Sequence, residues 1–591
     1  MNEKMKKIAI LAAALPMGFS AQAQSMYDAY SFGKTEYYGT ARTLGMGNAV
    51  TAVGADLGSI GINPAGSAVA GYSQFTITPG ITVASTVAEW APSYTAGVGD
   101  QVFGEGSRDS RTRFILPNLG LSLRIETGNR DGLRSFTVGM VSNRTSTHLE
   151  RVSAFGQDNL TSISGAFATM ANFNADGNGN PLDPDIFRYD DMYGSKYFWN
   201  YIAGYDAGLI NYNDDAGTYY GSGEFKAFDG VNYDYYVPGL LRKSSFTETV
   251  GHRDDILINF GLDFSDRLFL GFNLGLQAQC RRYSEFYRES ADNPAAFPLT
   301  PEYHDNTGAV VVEAATNFNA STYEYNYVAD VDGVYAKLGV IWLPTESLRL
   351  GAAIQTPTAC TVEERWRVVI NNYTDAGSTY GNSPESESSY SYRSPWGFNL
   401  GAAFTFGAYG MLSADYELSD FSVMKYSLLD NDPVAGDPFY EVNRLNKLFY
   451  GVSHALRVGL EVKPFPTFAL RAGYTFQSNP ERYYTDSDGY TVDAAFYDAN
   501  FNFYEGGGAA LAKKQYIDAP VRSLSLGLGF ISDGAFFADL AVRRTTWPVT
   551  RFAPYADYLT TAYGCATDTY SPVVRSTRSL VDAVLTLGWR F

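Results

Sequence analysis

The residues that could do chemistry are few, and their spacing is informative. Asn174-Ala175-Asp176-Gly177-Asn178-Gly179, with Asp185 at the twelfth position, follows the start of a calcium loop. Oxygen ligands at alternate positions suit Ca²⁺. The first ligand is Asn, however, and Pro181 sits where an apolar residue is usual, so a polar turn is the stronger reading and no metal is expected. Gly45-Met46-Gly47 lacks the third glycine and the preceding strand of a dinucleotide loop. His148, His252, His304 and His454 are scattered. Asp254 and Asp255 follow His252 closely, but no serine context makes a triad readable, so loop ion pairing is favoured over catalysis. No cofactor is implied. What remains is Asn63-Pro64-Ala65, in a glycine-punctuated stretch with Gly54, Gly58 and Gly61. Pro64 fixes φ, and Asn63 can cap neighbouring backbone, which suits a compact turn or a moving segment.

The composition limits the elements that carry these residues. The chain has 591 residues, 45% hydrophobic, 18% charged and 15% aromatic, with 58 Gly and a net charge of −19. It is too aromatic for disorder and too rich in glycine for a helix bundle. Its mean hydropathy of −0.17 excludes a helical membrane protein. No basic block follows the N-terminus, so nucleic-acid binding is excluded. Lys4, Lys6 and Lys7, the apolar run Ile8–Leu15 and Ala21-Gln22-Ala23 read as residues 1–23, a secretory signal peptide cut after Ala23. Cys280, Cys360 and Cys565 allow at most one internal pair in an oxidising compartment, so disulfides do not hold the fold.

The apolar period is two. Leu268, Leu270, Phe272, Leu274 and Leu276 share one face, while Phe269, Gly271, Asn273 and Gly275 share the other. The pattern recurs at Leu456–Val462, Leu470–Phe476, Leu524–Phe530 and Val581–Phe591. Six short connections, from Glu126–Gly132 to Ser532–Ala535, alternate with seven long ones. The longest spans 149–253. This predicts an all-β fold: a transmembrane antiparallel up-and-down β-barrel of about 14 strands over 72–591, with long extracellular loops. One face carries Arg457, Glu461, Arg471, Asp582 and Arg590, as a wet lumen would. A complete wall has no open edge, so a monomer is the default. The surroundings would be outer-membrane lipid and lipopolysaccharide of a Gram-negative cell.

Residues 24–71 lack a strand pattern. They read Thr40-Ala41-Arg42-Thr43-Leu44-Gly45-Met46-Gly47-Asn48-Ala49, then Asp56, then Ile62-Asn63-Pro64-Ala65-Gly66. This stretch resembles the FadL/TodX-type family of outer-membrane channels for long-chain fatty acids and other hydrophobic compounds. The resemblance implies a hatch inside the barrel, carried by Arg42, Leu44, Gly45, Gly47, Asp56, Asn63, Pro64 and Ala65. It also implies passive uptake through the outer loops into an apolar pocket above the hatch, followed by lateral release through a gap in the wall. Such a gap needs a distorted strand, for which Gly139 and Pro117 are the candidates. The terminal Phe591 resembles the C-terminal signal that barrel-assembly machinery reads. The alternatives are a hydrophilic porin, or a structural or adhesive barrel acting through its loops.

Overall fold

In the computed structural model, the described residues are 26–91, 103–177, 179–429, 437–485, 491–492, 513–555, 558–560, 566–568 and 572–591. The proposed signal peptide, Asn178 and Cys565 lie outside them. Among the described residues, fourteen antiparallel strands form the wall. They are β1 (Gln74–Ala91), β2 (Phe103–Glu126), β3 (Leu133–Asp158), β4 (Leu241–Phe264), β5 (Leu268–Ala291) and β6 (Thr316–Trp342). Then follow β7 (Leu348–Gln355 with Ala359–Thr374), β8 (Ser386–Arg393 with Gly397–Thr405), β9 (Gly410–Asp420) and β10 (Val452–Phe465). The last four are β11 (Phe468–Gln477), β12 (Val521–Ile531), β13 (Phe536–Thr546) and β14 (Val573–Arg590).

Each strand pairs with its sequence neighbour, and β14 pairs with β1 from Gln74↔Arg590 to Ala91↔Val573. The sheet is therefore closed. Phe591 completes the closure: its N–H donates to the Ser73 carbonyl at 3.0 Å and its carbonyl accepts from Ser73 N at 3.0 Å. Pro357 and Pro395 interrupt β7 and β8 at adjacent points, because proline cannot donate to a ladder. Ser394 spans that interruption, donating from its N–H to the Thr358 carbonyl and accepting from Thr358 N on its hydroxyl.

Alternation decides which face meets lipid. Leu268, Leu270, Phe272, Leu274 and Leu276 project outward, while Asn273 and Gln277 are buried inside. Leu524, Leu526 and Leu528 on β12, and Leu456, Val458 and Leu460 on β10, continue the apolar band. A closed sheet wearing such a band is a transmembrane β-barrel.

The strands continue well past the ends of the apolar alternation. β6 has 27 residues and β3 has 26, against the ~9–11 that a bilayer needs. The stretch 149–253 therefore begins and ends as strand, and 159–240 is its loop. These outer extensions contact water and each other rather than lipid, so no apolar period marks them.

An arginine in place of Leu526, at mid-band, is expected to cost ~2–4 kcal/mol. Equilibrium urea unfolding in phospholipid bilayers measures it. Wild-type stability in this variant would place Leu526 outside the band.

Candidate functional site

The chain from Met26 to Ala70 enters the lumen and forms a plug. It comprises helix α1 (Met26–Gly33), an extended run through Gly39, helix α2 (Ala41–Gly45) and two 3₁₀ turns, Leu57–Gly61 and Pro64–Ser67. Short polar residues cap each turn. Thr40 caps α2, accepting from Thr43 N. Asp56 accepts from Gly58 N at 2.9 Å and from the Thr40 hydroxyl at 2.6 Å. Asn63 Oδ1 accepts from Ala65 N at 3.1 Å.

The plug has little regular structure of its own, so the barrel satisfies its backbone. Asn63 Nδ2 donates to the carbonyl of Thr51 at 2.7 Å and to that of Val340, on β6, at 3.1 Å. Asn259 Nδ2 reaches the Pro64 carbonyl and Asn273 Nδ2 the Ile60 carbonyl. Lys337 Nζ donates to the Gly61 carbonyl, Arg349 to that of Val53, and Asp415 accepts from Thr51 N. Arg42 donates to Glu461 at 3.1 Å; Glu461 also takes Arg471, which reaches Asp539. Leu44 is fully buried with Ile115 and Ala541, and Ala65 with Phe269 and Ile341.

Glycines let the plug come this close. Gly261, Gly271 and Gly339 face one another across β4, β5 and β6; Gly351 faces Gly401, and Gly459 faces Gly473. A Cβ on Gly271 would overlap Ala65 N, on Gly339 the Asn63 side chain, on Gly351 the Thr51 carbonyl, and on Gly473 the amide of Gly47. Gly47 itself has φ 62°, a left-handed conformation that suits glycine. Gly45 lies against Gly527 of β12.

One expectation needs correction. Glu461, Asp582, Arg457 and Arg471 do not line a wet lumen: they are buried against the plug or against each other, and Glu461 and Asp582 are 0% exposed. A largely polar cavity beside the plug is lined by Thr35, Arg253, Asp255, Gln277, Asn399 and Glu417, together with Tyr37, Tyr335 and Pro395.

The wall has a seam between β2 and β3. They pair at Phe103–Glu105 with Phe155–Gln157 and again at Asn118–Glu126 with Ser135–Asn143, but not between. There β2 pairs only with β1 and β3 only with β4. Pro117 lies at the inner end of the seam, in a bulge where Thr78–Gly80 faces Ile115–Asn118. Gly139 pairs in unbroken register with Ser122 and Asn259, so the distortion is not at that residue. β3 bulges at Thr145 instead. At that bulge the plug replaces β2: Glu36 N donates to the Thr145 carbonyl at 2.7 Å and Tyr38 N to the Arg144 carbonyl at 3.2 Å. Further out, Leu149 packs on Ala84 and Leu580 inside the wall. Ion pairs cover the seam, with Glu248 taking both Arg111 and Arg151, and Asp254 taking Arg144.

The calcium candidates do not converge. Asn174 Oδ1 accepts from Gly179 N, Asp176 accepts from both nitrogens of Asn180, and Asp185 bonds His304 and Arg188 instead. Asn178 is outside the described residues. Among the described residues, no group of three His, Cys, Asp or Glu could hold a metal. The four histidines sit in separate places, His148 beside Gln279, His252 beside Asp254, His304 beside Asp185 and His454 beside Tyr416. The outer loop 159–240 is a folded cap. Its helices α3 (Ile163–Phe173) and α4 (Trp199–Asp206) pack Phe167 on Tyr201 and Trp199 on Trp366 of β7.

The sequence pointed to the plug residues but not to their wall partners. Lys337, Arg349, Asn259, Asn273 and Asp415 are isolated polar residues at inward positions. Together with the glycines at matching depth, they are a signal that registers only once strands are aligned.

Fold and site together define a transmembrane β-barrel whose lumen is closed by its own N-terminal segment. Comparisons with solved structures return matches that span nearly the whole chain. A Pseudomonas aeruginosa FadL homologue shares 12% identity, covering 95% of this chain and 100% of that one, with a TM-score of 0.44. The P. putida toluene transporter TodX shares 13%, covering 94% and 99%, with a TM-score of 0.41. The CymD monoaromatic hydrocarbon channel shares 10%, covering 94% and 97%, with a TM-score of 0.41. No family model and no curated protein matches the chain. At such low identity the barrel is defined by its own strand pairing.

Valine in place of Gly473 is expected to displace the plug, since overpacking costs ~1–3 kcal/mol. Asn63→Ala, which leaves buried carbonyls without a donor, is expected to cost ~1–3 kcal/mol. Both variants should raise ion conductance in planar bilayers. Conductance equal to wild type would mean that the plug does not depend on these contacts.

Proposed function

We propose that this protein is an outer-membrane channel for passive uptake of hydrophobic small molecules, long-chain fatty acids among them. In this reading substrate enters beneath the loop cap, the plug shifts, and the ligand leaves sideways through the β2–β3 seam. One observation carries it: plug and seam share hydrogen bonds, Glu36 N and Tyr38 N occupying the β3 carbonyls of Thr145 and Arg144. Movement of residues 26–38 changes the edge of the seam. The rest of the plug, from Thr40 to Ala70, is tied to most of the wall and stays.

Physical chemistry favours the sideways route. An apolar ligand entering water loses ~0.8 kcal/mol per CH₂, whereas a side opening keeps it beside lipid. The gating roles of Arg42, Asp56 and Asn63 follow as anchors of the fixed part, and that of Pro117 as the point where β2 leaves β3. The polar cavity beside the plug favours a second reading, a hydrophilic porin closed by its own plug.

A disulfide between Glu36→Cys and Thr145→Cys, in a cysteine-free background, separates the two. Cells carrying it are expected to take up labelled long-chain fatty acid at least tenfold more slowly than reduced cells, with a small sugar excluded throughout. Sugar passage after reduction, without acyl passage, would leave the porin. Acyl uptake indifferent to the crosslink would overturn the coupling of plug and seam.

A further inference from the structure

Above the apolar band, the inner faces of β5 and β6 carry a patch of different chemistry. Inward positions of β5 are Arg281, Tyr283, Glu285 and Tyr287; those of β6 are Tyr327, Tyr325 and Tyr323. The register sets Tyr283 opposite Tyr327, Glu285 opposite Tyr325 and Tyr287 opposite Tyr323. Glu285 therefore has tyrosines on three sides, and Thr247 of β4 on the fourth. Tyr283 and Tyr325 have ring centroids 6.3 Å apart, Tyr325 and Tyr327 stack at 6.5 Å, and Tyr325 meets Trp366 at 6.2 Å. The loop cap adds Phe167 against Tyr323 and Trp199 against Trp366.

The other inward acids nearby are satisfied. Glu364 accepts from the Tyr327 and Tyr390 hydroxyls at 3.0 and 2.8 Å. Glu289 accepts from Ile163 N, at the start of α3, and from Ser162. Asp28 of the plug holds Arg281, whose guanidinium also lies over Tyr327. Glu285 differs. Among the described residues, its one hydrogen bond is from the Tyr283 hydroxyl at 3.2 Å, and no lysine or arginine bonds it. Burial pushes its carboxyl up to about 7, with only the Tyr283 hydroxyl pulling the other way. Yet Glu285, Tyr283, Tyr323, Tyr325 and Trp199 are half-buried, although they lie deep in the mouth of the barrel. They pack on the aromatic core beneath the loop cap and keep partial access to solvent. A carboxylate without a counter-ion is costly to keep among apolar surfaces, and tyrosine faces attract cations.

We propose that this tyrosine-lined patch binds an organic cation, a substituted or quaternary ammonium group seated on the tyrosine faces with Glu285 as its counter-ion. The apolar part of the ligand lies along Trp199 and Trp366. The proposal deepens the channel reading by giving it a cargo class, cationic amphiphiles, and rests on that reading for transport; binding needs no movement of the plug.

The test uses the full mature chain in a neutral detergent and two probes of like shape, benzyltrimethylammonium and uncharged neopentylbenzene, followed by calorimetry and tryptophan fluorescence. The cation is expected to bind at least tenfold more tightly than the isostere at pH 8. Only the carboxylate form attracts it, so affinity falls as pH drops through about 7, approaching tenfold per unit below that. Glu285→Gln should abolish both the preference and the pH dependence. Tyr325→Leu should weaken cation binding while Tyr325→Phe, which keeps the ring, retains it. Folding of each variant is checked by the heat-sensitive gel migration of an intact barrel. Equal binding of the two probes, or an unchanged preference in folded Glu285→Gln, overturns the site and leaves the channel reading standing. Cation binding as expected, in cells that take up no labelled hydrophobic compound, overturns the channel and leaves the site.

Discussion

The structure depends on one close approach, that of the plug backbone to the inner wall. A segment of 45 residues with two short helices and two 3₁₀ turns cannot satisfy its own backbone groups or bury an independent core. It is held because opposed glycines on β4–β8 and β10–β11 leave no side chain between wall and plug. At that distance Asn63, Asn259, Asn273, Lys337 and Arg349 bond main-chain carbonyls directly. The charges buried at the same depth are paired with plug or wall, which makes their burial tolerable.

The same contact organises the seam in the wall. A strand edge that loses its neighbour exposes carbonyls and amides. In β3 that loss is made good from inside, by amides of the extended run before Thr40. Wall integrity at the seam and the position of the plug are thus one set of hydrogen bonds. Pro117, which cannot donate, marks where the β2 ladder stops.

Much of the fold was legible in the sequence because lipid imposes a strict period. Where Leu268 to Leu276 or Leu524 to Phe530 face hydrocarbon, alternation is forced, and strand, facing and short turns can all be read. The period fades at Phe286 or Glu324, where strands have left the membrane, so it does not show how far they run. The plug was legible differently. Its Asn-Pro-Ala and glycine spacing marks a compact segment, but nothing local says which carbonyl Asn63 reaches.

Local pattern alone carries the barrel: its class, its strand number, its outward band and an N-terminal segment without strand character. Those follow from local period and turn chemistry, which need no partner to express. The rest came from tertiary contacts. They placed the distortion of the wall at Thr145 and Pro117 rather than Gly139, and they turned apparent lumen charges into buried anchors. They also set Glu285 among tyrosines drawn from two strands and beneath a loop cap. The physical reason is that each of these is a meeting of residues far apart in the chain. Register, closure and the bend of β3 bring them together, and the spacing of one strand carries no record of what its neighbour presents at the same depth.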